Sequence, residues 1–249
     1  MITICFVYFR GLTLAHLEAA LYTISRQRDF ASVRELFVVD NNTNDDPVAI
    51  LAIINQLAFP FPVTLRSYKH GDVTKTHSWS TNVAVREART PWVFFCRADY
   101  LLDFDVLDRF WSVVCERPGG WDGFVTSKGA YVGTLPECGM AWRDSGPQVL
   151  RGTTYDHTMI DAGVWMARRE SFDRVGGLNE HLTAWGHAQT HFQWKLHQAG
   201  VEFQRVDDVL FFHPDHGGEK DIVLANQQLA AQGVNLQEMW ARYEGPRMY

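Results

Sequence analysis

The chain has 249 residues, enough for one large α/β domain or two small ones, and at this size roughly 70–75% of the unfolded surface can be buried. Its 46% hydrophobic and 21% charged residues are ordinary for a soluble globular protein, and a net charge of -6 with a pI near 5.9 argues against a nucleic-acid-coating role, which needs a basic face. No run approaches the roughly 18 apolar residues of a membrane span, so a lipid-linked partner would have to be met by a soluble or peripheral protein.

Residues 2–9 are a β-rich apolar run closed by Arg10, without a basic leader or a cleavage-like site, and read as a first strand. Leu14, Leu17, Ala20, Leu21 and Ile24 recur at helical spacing and predict a helix over 13–26. Leu36 to Val39 form a second buried strand that ends in Asp40. Pro47 opens a helix over 47–57. A strand over 63–67, a helix over 76–88 and a strand over 92–96 follow. Alternation of this kind, with short connections, predicts a mostly parallel central sheet flanked by helices.

After Tyr100 the pattern loosens. A helix is expected over 104–115, a turn cluster from Arg117 to Gly123, and a strand over 124–132. Residues 133–158 read as a long loop of the kind that forms lids or binding loops. A strand over 164–167, a short helix over 169–175 ended by Gly176 and Gly177, and a helix from about 186 to 198 come next. Residues 201–206 and 209–212 read as two strands, and the tail from Glu219 as two helices separated by Gly233. Cys5, Cys96, Cys115 and Cys138 form no paired motif and fit a reducing, cytoplasmic setting. The nine Trp, eight Tyr and sixteen Phe suit sugar stacking, but core filling is the first use of large aromatics.

Chemistry concentrates where strands end. An apolar strand that delivers Asp99 and stops places that carboxylate at the carboxyl edge of a sheet, where open α/β folds bind ligands. Asp40 ends the second strand in the same way, with Asn41 and Asn42 after it. Downstream lie Gly176, Gly177, Leu178, Asn179 and Glu180, then Trp185, Gly186 and His187. In this order and spacing the set resembles a family 2 glycosyltransferase of the GT-A fold, the nucleotide-diphospho-sugar transferase fold.

That resemblance implies one domain, with a nucleotide-binding half to about residue 103, an acceptor half over 104–216 and a helical tail over 217–249. It implies transfer of a sugar from a nucleotide-sugar donor, UDP-linked, to a glycan or other hydroxyl acceptor with inversion. The alternative is a non-catalytic module that binds a nucleotide sugar, a glycan or a protein partner. Tyr8, Arg10, Asp40, Asn42, Asn82, Arg97 and Asp99 fall at the family's donor-binding positions, and Asp40, Asn82 and Asp99 are expected to line one cleft. The family's Asp-x-Asp holds a divalent cation, Mn²⁺ or Mg²⁺, and its late histidine matches His213, so Asp99 and His213 are the expected metal ligands. Arg97 stands where the first of those acids belongs. It can contact phosphate directly or pair with Asp99, and Asp215 or His216 can restore a ligand. The family's Glu-Asp pair is replaced by Ala188 and Gln189, which leaves His187, His191 and Asp161 as candidate general bases.

Overall fold

A computed structural model of the chain describes residues 1–41, 43–70, 76–135, 142–143, 146, 150, 158–182, 187–216 and 222–241, with the backbone alone at 131, 158–162, 222, 240 and 241. The strands are β1 (Ile2–Phe9), β2 (Val33–Asn41), β3 (Val63–Tyr68), β4 (Trp92–Arg97), β5 (Leu101–Leu102), β6 (Gly123–Val132), β7 (Thr158–Arg168) and β8 (Glu202–Pro214). The helices are α1 (Leu14–Ser25), α2 (Pro47–Gln56), α3 (His77–Glu87), α4 (Val106–Glu116), α5 (Arg169–Arg174), α6 (Ala188–Gln198), α7 (Ile222–Ala231) and α8 (Leu236–Ala241).

The eight strands form one sheet in the order β3-β2-β1-β4-β7-β6-β8-β5. From β3 to β4 every pairing is parallel, as the strand–helix alternation predicts. Beyond β4 the sheet is mixed: β7 runs antiparallel to β4 and β6, and β8 parallel to β6. Because β1, β2 and β4 run the same way, Phe9, Asn41 and Arg97 all end at one edge. Because β7 runs the other way, it starts at that edge, where the chain carries Asp161.

All eight residues of β1 and all six of β4 are buried, which explains their unbroken apolar character. The core is aromatic. Trp165 on β7 stacks on Phe95 of β4 at 5.0 Å and packs against Phe192 of α6 at 5.6 Å, and Phe124 and Phe172 close the group. The helix starts are made locally. Asp46 caps α2 with Pro47 at its first turn, and the Thr76 hydroxyl accepts from Trp79 N–H to cap α3.

Two expectations need correcting. The strands predicted over 201–206 and 209–212 are one strand, β8. Its register with β6 jumps from Ser127 opposite Val206 to Lys128 opposite Leu210, so Asp207, Asp208 and Val209 bulge out and read locally as a break. β7 is also longer than its apolar centre. Most of the predicted 133–158 loop lies outside the described residues. The tail packs on α6 and the turn after α5: Gln198 of α6 donates to Glu238 of α8 (2.6 Å), and Asn179 to Gln232 (2.6 Å).

Candidate functional site

β4 ends in Arg97, and two residues later Asp99 lies fully buried at the sheet's carboxyl edge. Arg97 Nε donates to Asp99 Oδ1 at 3.0 Å, and its Nη2 lies 2.9 Å from Oδ2. The same guanidinium donates to the Tyr100 hydroxyl at 2.8 Å and stands over the Tyr100 ring. β8 brings the third and fourth groups. His213 Nε2 is 3.2 Å, and His216 Nε2 3.6 Å, from Asp99 Oδ2. Burial alone would raise the Asp99 carboxyl, but Arg97 and the two imidazoles outweigh it and hold it well below the usual carboxylate range. Gly163 on β7 gives Tyr100 its place, since a Cβ there would lie 2.3 Å from the phenol oxygen.

The start of α1 adds a residue that the sequence did not announce. His16 Nδ1 accepts from Thr13 N–H at 3.4 Å in a capping arrangement. That leaves the proton on Nε2, a buried N–H with no hydrogen-bond partner. The His16 ring is 6.1 Å from that of His216, and His216 is 6.4 Å from Phe9. Burial, then the His216 neighbour, lowers the His16 pKa, so the ring acts as a neutral donor. The spacing of His213 and His216 was a readable signal; the approach of His16 depends on the fold.

At the end of β2, Asp40 is fully buried and heavily engaged. Its Oδ1 accepts from the Thr43 hydroxyl (2.6 Å) and backbone (3.2 Å), and its Oδ2 from Ser67 and Lys69 (2.8 Å). Tyr8 donates to Asp45, and burial together with that carboxylate pushes its phenol pKa upward. Arg10 is exposed just past β1. Asn41 donates to Ser80 (3.3 Å) and Thr76 O (3.4 Å), which ties β2 to the start of α3. Asn42 lies outside the described residues.

Asn82 does not join this edge. Its amide donates to Leu178 O (2.9 Å) and Glu180 Oε1 (2.7 Å) and accepts from Leu178 N–H (2.8 Å), so it latches α3 to the turn after α5. Gly177, at φ 66, permits that latch, because a Cβ would meet Asn82 Oδ1 at 2.5 Å. Asn82 lines a separate cavity of about 500 Å³ with Arg86, Glu180, His191 and Lys195. Of the three residues expected to line one cleft, Asp40, Asn82 and Asp99, Asn82 has its two amide donors and its carbonyl engaged by Leu178 and Glu180. His191 is buried in that cavity wall, and burial, then Lys195, lowers its pKa to about 4. That value makes it a poor general base near neutral pH. His187 begins α6 in a left-handed conformation, φ 57. The side chain of Asp161 lies outside the described residues.

The metal expected from the resemblance can be tested against these groups. The ligand atoms of Asp99, His213 and His216 lie within 4.8 Å of one another, close enough for a single ion. Charge stands against it. Asp99 is the only acid of the three, and Arg97 already neutralises it. A dication on Oδ2 would share that oxygen with a buried guanidinium, a repulsion of roughly 4 kcal/mol per pair of unit charges at 4 Å. Among the described residues, Asp99, His213 and His216 paired with Arg97 are a poor fit for a resident divalent cation, and they form a polar cluster at the sheet edge.

A family model described as glycosyl transferase family 2 matches residues 4–176, and another, described as the N-terminal domain of galactosyltransferase, matches residues 152–216. No curated protein matches significantly. Among solved structures the fold is similar to S. aureus TarS, at 13% identity and TM-score 0.58 over 86% of this chain. It is also similar to S. aureus TarS 1–349 in complex with UDP-GlcNAc, at 13% identity and TM-score 0.61 over 88% of this chain. The chain spans 36% of the first TarS chain and 60% of the second. The sheet order, the edge cluster and a family match over most of the chain agree: the protein belongs to glycosyl transferase family 2 and has the GT-A fold.

Proposed function

We propose that the chain transfers a sugar from a UDP-linked donor to a hydroxyl of a glycan or other acceptor, with inversion and without a bound metal. The observation that carries this reading is the Arg97–Asp99–His213–His216 cluster at the edge where β1 and β4 end. A leaving diphosphate needs preorganised hydrogen-bond donors where its negative charge builds up. Arg97 fixes Asp99 from beneath, Asp99 orients His213 and His216, and His16 Nε2–H adds a further donor. The UDP-GlcNAc bound by the TarS 1–349 neighbour supports the choice of nucleotide.

In this reading the acceptor oxygen attacks the anomeric carbon from the face opposite the diphosphate. The bond from that carbon to the phosphate oxygen breaks, and its electron pair stays on the diphosphate. The acceptor proton passes to His187, which opens α6, or to Asp161 at the start of β7. Burial and its low pKa remove His191 from that role. The three described cysteines, Cys5, Cys96 and Cys115, are free thiols, which supports a cytoplasmic setting. Among the described residues no helix is long and apolar enough to cross a membrane.

The test is release of nucleotide from a panel of UDP-sugars, with and without small glycan acceptors. Turnover that falls about 10²–10⁴-fold in His187→Asn or in Asp161→Asn supports the reading and names the base. A second reading, a non-catalytic module that binds the nucleotide sugar, a glycan or a protein partner, is favoured by one feature. Arg97 and Asp40 are both already engaged by protein groups, and Gln189 cannot accept a proton. Binding of a UDP-sugar without turnover under any acceptor condition selects it.

A further inference from the structure

The cavity between α3 and α6 contains a cation, Lys195, that is paired with no acid among the described residues. Lys195 donates to Val175 O (2.8 Å) and to Gly177 O, the carbonyls that close α5. Those two bonds use two of its three N–H donors, and among the described residues the ammonium meets no carboxylate. Burial lowers its pKa to about 8, the mark of a charge removed from water without compensation. A second, independent feature is beside it. His191 is only 6% exposed and lines the cavity, and its Nδ1 has no hydrogen-bond partner. Arg86, at the last turn of α3, makes one long ion pair with Glu180, at 3.6 Å. Two cations, Arg86 and Lys195, and two imidazoles, His181 and His191, thus line about 500 Å³ beside a single acid, Glu180.

We propose that this cavity binds a small oxyanion, a phosphate or carboxylate group, between Lys195, His191 and Arg86. The site is separate from the edge cluster, since Asp99, His213 and His216 do not line it. Glu180 Oε1 accepts from Asn82 at the cavity wall. The volume exceeds that of a bare anion and falls among small-molecule pockets of roughly 300–1,000 Å³. The ligand class is accordingly a small hydroxylated acid or phosphomonoester. It would join α3, from the nucleotide half, to α5 and α6, from the acceptor half.

Inorganic phosphate and ¹³C-acetate serve as probes, read by ³¹P and ¹³C line broadening, with saturating UDP present and chloride-matched ionic strength. A His213→Ala arm excludes binding at the edge cluster. The wild type should broaden one probe or both, and the responding arm names the anion. Lys195→Met should weaken that binding roughly tenfold or more, as loss of a charge-assisted hydrogen bond implies, and Arg86→Gln should weaken it too. Arg86 is largely exposed, so that variant decides the matter if Lys195→Met does not fold. Silence of both probes with the wild type overturns the proposal. So does undiminished binding in the Arg86 and Lys195 variants.

Discussion

Two cations, buried Arg97 and half-buried Lys195, stand on opposite sides of one question. Arg97 lies against a fully buried carboxylate and a phenol, so its charge is answered within the protein. Lys195 donates to backbone carbonyls and, among the described residues, to no carboxylate. The first arrangement fixes a geometry: Asp99 is held by Arg97 and in turn holds two imidazoles. The second leaves a charge that only a ligand or deprotonation can relieve. A closed ion pair is expensive to break, while an unanswered charge is cheap to remove.

The largest effect should come from breaking the closed pair. Arg97→Met leaves Asp99 buried without its guanidinium partner and should cost about 3–5 kcal/mol in denaturant unfolding, most of it recovered when Asp99→Leu is added. A single-variant loss below about 1 kcal/mol would mean that the pair is not closed. Gly163→Ala comes next. Its methyl would press on Tyr100, so a loss of about 1–3 kcal/mol is expected, with weaker UDP binding although Gly163 needs no contact with UDP.

Lys195→Met should change stability little near neutral pH, and its sign with pH is the sharper test. The unfolded chain keeps the lysine proton to about 10.5, whereas the folded protein releases it at about 8. Between those values the unfolded state binds more protons, so wild-type stability should rise with pH, and Lys195→Met should lack the rise. The smallest effect belongs to His191. The unfolded imidazole takes up its proton at about 6.5 and the folded one at about 4, so stability should fall as pH drops through that window. Thermal melts of His191→Asn should show a flatter acid limb; an unchanged limb would remove His191 from the buried wall.

The parallel part of the sheet, β1 to β4, was legible because each level of the sequence agreed there. β1, β2 and β4 are continuous apolar runs, the intervening helices carry their spacing and caps, and Asp40 and Asp99 end strands. Asp99 and His213 could be paired from their places in the motif, and the structure brings them to 3.2 Å. Other parts depended on contacts remote in sequence. Lys69 reaches Asp40 across β3, and His16 reaches His216 through the turn of α1. Asn82 reads as a ligand because it follows a helix start, but its partners lie some hundred residues away in a turn made by Gly176 and Gly177. β8 was split in two because its bulge carries Asp207 and Asp208, whose charge locally imitates a turn.

The central claim is that the histidines at the edge of β4, held in place by the Arg97–Asp99 pair, bind a diphosphate without a metal. Calorimetric titration of UDP and of uridine into wild type and Arg97→Lys, with Mn²⁺ and with chelator, tests it directly. The account predicts that UDP binds the wild type equally well in chelator and in Mn²⁺. It predicts also that Arg97→Lys, which keeps the charge but not the planar fork, weakens UDP by about 1.5–3 kcal/mol and leaves uridine nearly unchanged. UDP binding that appears only with Mn²⁺ would contradict it and return Asp99, His213 and His216 to the role of metal ligands.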